Sequence, residues 1–198
     1  MKVSTLARWL APWAILTLST TLSAEVKLPN VIGSGMVLQR DLPVPIWGWA
    51  DAGEKVTVSF AGQTETTKAG ADGKWMVKLD KLKASPKPAK LTIKGKNEIT
   101  VENILVGEVW ICSGQSNMEW SIRQSVNAKE EIAAANYPLI RHIKVPHRPS
   151  AKPESDVNTS GWQVATPATA RHFTAVGYYF ARELLGELKV PIGLIGSN

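Results

Sequence analysis

Between Val31 and about Leu105 the chain is a succession of short alternating runs, VPIWGWA, KVTVSF, QTETTKA, KWMVKL, KLTIKG and EITVENI. Turn chemistry separates them: Ala52-Gly53, Ala61-Gly62, GADG at Gly70 to Gly73 and SPKP at Ser85 to Pro88. Alternation sends one face of each strand to a core and the other to water, so runs this short, spaced this regularly, predict an antiparallel β-sandwich or jelly-roll-like region over residues 25–105. Two Ala-Gly turns are too little to define a repeat.

After Ile104 the pattern changes. LVGEVWIC is almost continuously apolar, as in a strand buried on both faces of a parallel sheet. SVNAKEEIAAANY reads as helix, PLIRHIKV as strand, and residues 144–170, rich in Pro, Ser and Thr, as a long loop with local turns. From His172 to Leu188 the four-residue spacing of Val176, Phe180 and Leu184, with Phe173 on the same side, predicts an amphipathic helix whose apolar face they form. IGLIG after Pro191 is a further strand. Strand, helix, strand, helix, strand predicts an α/β layer over residues 106–198, and Gly196-Ser197-Asn198 falls where such sheets collect functional groups, at the carboxyl end of a strand.

The first 24 residues have the three-part layout of a secretory signal peptide. Lys2 and Arg8 accompany an apolar run from Trp9 to Leu18, and the small Ala24 precedes Glu25. The run is short for a bilayer and Pro12 interrupts it, so export to the periplasm or outside the cell is expected, with no membrane association after cleavage. The formal charge of +6 falls to +4 without Lys2 and Arg8. The lysines between Lys74 and Lys96 alternate with apolar residues, which suits a solvated sheet face and not a nucleic-acid surface. The single Cys112 excludes an intrachain disulfide and reads as a buried thiol, and no Cys/His spacing suggests a metal site.

Chemistry gathers at GEVWICSGQSNMEW, Gly107 to Trp120. A strand that ends at Ser113-Gly114 and turns into a helix near Asn117 would present Ser116 at the carboxyl end of a sheet, with its own N–H near a helix start. A serine nucleophile also needs a base and oxyanion donors. The same Ser-Gly-Gln-Ser-Asn cluster is what caps a helix or forms a turn, so the residues alone leave Ser116 open between nucleophile and turn residue.

The block closely resembles the nucleophile block of the sialate O-acetylesterase family, among the SGNH-type esterases, whose serine lies in a Gly-Gln-Ser-Asn turn. The likeness extends to GMVLQRDLPVPIWGWADAGEKVTVSFAGQ, to DGKWMVKL with KLTIKGKNEITVENILVGEVW, and to HFTAVGYYFARELLGELKVPIGLIGSN. It covers about Leu28 to Asn198 and is weaker between Ile122 and Ala170. The resemblance implies that residues 106–198 are the N-terminal part of an SGNH-type α/β hydrolase domain. Ser116 would be the nucleophile and one oxyanion donor, Gly114 would permit the tight turn, and Gln115 and Asn117 would organise the site.

The implied activity is hydrolysis of O-acetyl esters on sialic acid or a related acetylated sugar, without cofactor or metal. The family's Asp and His, and a Trp-Gly-Gly stretch, have no counterpart by position. His142, His147 and His172 do not match the family's base, so the chain is expected to be an N-terminal portion, nearly inactive alone. Two other readings stand beside this one: an esterase for acetylated xylan or another polysaccharide, and a non-catalytic carbohydrate-binding module. The module would use Trp47, Trp49, Trp75, Trp110, Trp120 or Trp162 as stacking platforms, against which core packing is the ordinary role of most of them.

Overall fold

A computed structural model describes residues 25–198, and the signal-peptide reading falls outside them. The first region contains β1 (Val37–Gln39), β2 (Val44–Trp49), β3 (Lys55–Phe60), β4 (Gln63–Lys68), β5 (Lys74–Leu79), β6 (Ser85–Lys94) and β7 (Glu98–Ser113). Beyond it come α1 (Ser116–Glu119), a 3-10 turn (Ile122–Gln124), α2 (Ala128–Ala134), β8 (Tyr137–Lys144), β9 (Gln163–Ala165), α3 (Pro167–Ala170), α4 (Ala175–Leu188) and β10 (Ile192–Ser197).

The alternating runs become strands for the reason their pattern suggests. In β5, Trp75, Val77 and Leu79 are buried while Lys74, Met76 and Lys78 face out. Strand β2 pairs antiparallel with β5 as a separate ribbon. Its buried Val44 and Ile46, with Val77 and Leu79, share one apolar cluster with Val56, Val58, Leu91 and Ile93 of the larger sheet. This core is sandwich-like. The larger sheet is nevertheless mixed, in the order β4-β3-β6-β7-β10-β8-β9, with β1 also on β7. Pairing is antiparallel from β4 to β7, whereas β1 runs parallel to β7, so the first region is not purely antiparallel as expected.

EITVENI and LVGEVWIC are one strand. β7 runs 16 residues, antiparallel to β6 through Val106 and parallel to β10 from Glu108 onward. The expected boundary at 105/106 therefore falls within a strand. No glycine turn breaks it, because Gly107 is used for close approach instead: a Cβ there would lie 1.9 Å from the Pro191 carbonyl oxygen. The β6–β7 register shifts twice, once where β7 holds Asn103 at a φ of +57° and once at the SPKP stretch. That stretch, expected as a separator, belongs to β6 as its irregular edge, where prolines are tolerated beside bulges.

Strands β7, β10 and β8 are mutually parallel, and a second cluster joins Cys112, Ile140, Ile192 and Leu194 to Phe173, Tyr178 and Ala181. Helix α4 begins at Thr174, whose hydroxyl accepts from the Gly177 N–H, and ends at Lys189 in the left-handed conformation. Its buried residues are Ala175, Gly177, Tyr178 and Ala181. Val176 and Phe180, expected inward, are 49% and 40% exposed. The close approach falls at Gly177, where a Cβ would lie 2.8 Å from the Cys112 sulfur, and it fixes the helix rotation so that Tyr178 turns inward and Val176 and Phe180 outward. Phe180 meets Trp110 edge-on at 4.9 Å, and Trp110 and Ile111 are themselves exposed, contrary to the reading of LVGEVWIC as buried on both faces. The 144–170 stretch is not all loop, since it holds β9 and α3, and α2 is shorter than the pattern suggested.

Candidate active site

Strand β7 delivers the serine turn. It ends at Ser113 in register with Ser197 of β10, so the two parallel strands finish side by side. Gly114 then adopts a φ of +147°, which L residues rarely take, and Gln115 stands at the N-cap of α1. The Met118 N–H donates to the Gln115 carbonyl at 2.8 Å and the Trp120 N–H to that of Ser116 at 3.1 Å, which closes the short helix. Ser116 is thus the first helical residue and not its cap. No side-chain capping bond forms at this helix start, and among the described residues no hydrogen bond joins the Ser116 hydroxyl to a histidine. Gly114, Gln115, Ser116 and Asn117 are all exposed, at the strand's carboxyl end.

The chain beyond α1 is tied to the start of α4. The Ile122 N–H donates to the Phe173 carbonyl at 3.2 Å and the Ala175 N–H to that of Trp120 at 2.7 Å. Ser121 and Gln124 close the 3-10 turn by reciprocal hydrogen bonds. These contacts hold a hollow formed by Ser116, Glu119, Trp120 and Gln124 beside a polar cavity of about 200 Å³. Glu119 and Gln124 line both.

The cavity contains Lys144, which the sequence reading did not single out, together with Asn198, placed at a strand end without a role, and His142, weighed only as a base. Asn198, at the end of β10, is buried and accepts the Lys144 ammonium on Oδ1 at 2.5 Å, while its Nδ2 has no partner. With Oδ1 committed to Lys144, the amide is oriented and its N–H groups remain available. Burial holds the Lys144 ammonium below the ordinary lysine value, against the pull of Glu119. His142 lies on β8, stacked on Phe173 with ring centroids 4.5 Å apart, and its Nε2 is buried without a partner. Burial first, and the Lys144 charge second, push its pKa down to about 4, so it is a neutral imidazole at pH 7.

His172 lines the same cavity from the surface. His147 is exposed, with Nδ1 3.6 Å from a Glu119 oxygen. Cys112 is buried and its thiol is pushed up by desolvation, as expected of an inert cysteine. Among the described residues no three His, Cys, Asp or Glu side chains converge as metal ligands. No helix there is long and apolar enough to cross a membrane.

What the geometry defines is a mixed-sheet chain that presents an exposed serine turn and a buried amide at the carboxyl ends of adjacent parallel strands. Several named proteins are similar to it in sequence. The chain is 31% identical to sialate O-acetylesterase of Rattus norvegicus over 191 residues, and 32% identical to that of Homo sapiens over 192. Each alignment takes in 87% of this chain, but the chain spans only 35% and 36% of those relatives. A solved carbohydrate acetylesterase from Xanthomonas citri matches with 43% identity and a TM-score of 0.84, over 87% of this chain and 40% of the other. No protein-family profile matches. The resemblance to the sialate O-acetylesterases therefore runs along most of the chain and is not confined to the serine block.

Proposed function

We propose that this chain is part of a serine esterase that removes acetyl groups from carbohydrates, with Ser116 as its nucleophile. One observation carries the reading: an exposed, uncapped Ser116 stands where β7 ends, beside the end of β10, where Asn198 holds an unpartnered amide N–H. In the proposed reaction the Ser116 Oγ attacks the acetyl carbonyl. The developing oxyanion is received by the Ser116 backbone N–H and by Nδ2 of Asn198. The sugar hydroxyl departs with a proton, leaving an acetyl-enzyme that water then hydrolyses.

Gly114 makes the turn, and Gln115 and Asn117, exposed beside the serine, are free to meet substrate. The parallel strands would open an SGNH-type α/β domain following the β-sandwich-like region, and the leader would direct the protein out of the cytoplasm. None of the three histidines supports assignment as the base. His142 is neutral but sealed against Phe173, and His147 and His172 make no bond to Ser116. We assign the base and its acid to the portion of the relatives that this chain does not span.

Sialic acid acetyl esters are the substrate proposed from the curated relatives. Similarity to a bacterial carbohydrate acetylesterase keeps a second reading beside it, another acetylated carbohydrate such as acetylated xylan. The test measures acetate release from O-acetylated sialic acid and from acetylated xylan, using the longest reading frame that contains these residues and the 198-residue chain. We expect turnover by the longer protein to fall about 10⁴-fold or more in Ser116→Ala. Equal turnover in that variant would refute the nucleophile. Equal turnover by the 198-residue chain would refute the placement of the base.

A further inference from the structure

A second cleft lies on the β2–β5 ribbon and shares no residue with the serine hollow or the polar cavity beside it. Its volume is about 640 Å³, within the range of small-molecule sites. In the β2–β5 register Trp47 faces Met76 and Trp49 faces Lys74, so all four point away from the face that buries Ile46 and Val77. Trp47 and Trp49, two residues apart on one strand, are roughly 7 Å apart along it and give a strip of aromatic surface. Both are half-buried; Trp47 packs against the main apolar cluster as its core role suggested, whereas Trp49 lies outside it.

Lys68 and Lys74 stand on one side of this strip, and Glu154 reaches it from the distant loop after β8. Trp75 completes the lining. Its side chain alternates onto the opposite face, buried with Val77 and Leu79 and 3% exposed, so it borders the cleft without offering it a donor. A cleft with an apolar aromatic floor and a charged rim matches the chemistry of a sugar ring. Pyranose C–H faces stack on indole planes, and the hydroxyls around the ring edge pair with ammonium and carboxylate groups.

We propose that this cleft is a second, non-catalytic carbohydrate-binding site, which holds an oligosaccharide on Trp47 and Trp49 independently of the Ser116 chemistry. Because it needs no turnover, it is tested in Ser116→Ala, where failure of the esterase reading does not touch the result. Cellohexaose, xylohexaose and 6′-sialyllactose are titrated while tryptophan fluorescence is followed. At least one is expected to bind, with Trp49→Ala weakening it about tenfold or more and Trp49→Phe retaining most of the affinity.

Trp49 lies outside the main apolar cluster, and Met76, 52% exposed, offers a change that leaves the core untouched. Met76→Asp places a carboxylate on the floor of the cleft and is expected to weaken the same ligand, with an unaltered melting temperature. It decides the matter if Trp49→Ala does not fold. The proposal is overturned if none of the three sugars binds at millimolar concentration, or if the ligand binds equally well to the folded variants.

Discussion

Protonation of His142 should cost this protein a measurable part of its stability below neutral pH. The imidazole is 4% exposed, stacked on Phe173 and near the Lys144 ammonium, and its pKa is held down to about 4 from an ordinary 6.5. Because the folded value is depressed, the unfolded chain takes up the proton first as pH falls. The contribution is intact above 6.5 and is lost progressively from there toward pH 4. At 1.36 kcal/mol per unit, integration between pH 7 and pH 4.5 gives a loss of roughly 2.5 kcal/mol from this one group. Carboxylates titrate over the same interval, so the assay is a comparison. Urea unfolding is measured at both pH values for the native chain and for His142→Gln, which cannot titrate. The native chain should lose roughly 2.5 kcal/mol more than the variant. Parallel losses would show that His142 is solvated, or is protonated without penalty, and the reasoning would fail.

Two further substitutions test the packing. Gly107→Ala puts a methyl group into the Pro191 carbonyl, where β7 must pass, and should destabilise by about 3 kcal/mol or more in chemical denaturation; a neutral result would mean that β7 and Pro191 are not in close contact. The Tyr178 hydroxyl is buried without a partner, and desolvation is the main cause that pushes its pKa up to about 12. Tyr178→Phe keeps the edge contacts with Tyr137 and Tyr179, so in chemical denaturation it should leave stability unchanged or raise it by up to about 1 kcal/mol; a marked fall would reveal a hydrogen bond to that hydroxyl.

Strands were legible wherever one side met water. KVTVSF and KWMVKL alternate because β3 and β5 each have one buried face, and the turns that separate them are built from Gly and Asp. The lysines of that region are exposed, as their alternation suggested. Burial in the second region was harder to read, because helix-to-sheet distance decides it. The four-residue spacing in α4 selects Val176 and Phe180, whereas the face that meets the sheet carries Ala175, Gly177, Tyr178 and Ala181. The single length of β7 was hidden because its two halves differ in texture: one faces β6 and the sandwich-like core, the other β10 and α4. In the candidate site, residue types alone left Ser116 open between nucleophile and turn residue, and only the resemblance singled it out. Asn198 was placed at a strand's carboxyl end but given no role, His142 was weighed only as a base, and Lys144 not at all, since the three meet only through the parallel register of β8 with β10.

The continuity of β7 makes the serine's position a matter of alignment far from it. Ten residues of this 16-residue strand follow the bulge at Asn103 and end at Ser113, and each residue of a strand advances about 3.3 Å while reversing its side-chain face. Deleting Asn103 to regularise the bulge would leave the strand two ways to re-pair. It could keep its register with β6 and shift its far end against β10, or keep β10 and turn its buried residues out of the first core. The bulge thus acts as a length adjuster between two cores, and the reach of Ser116 is set as much by the partners of Ile104 as by the turn that carries it.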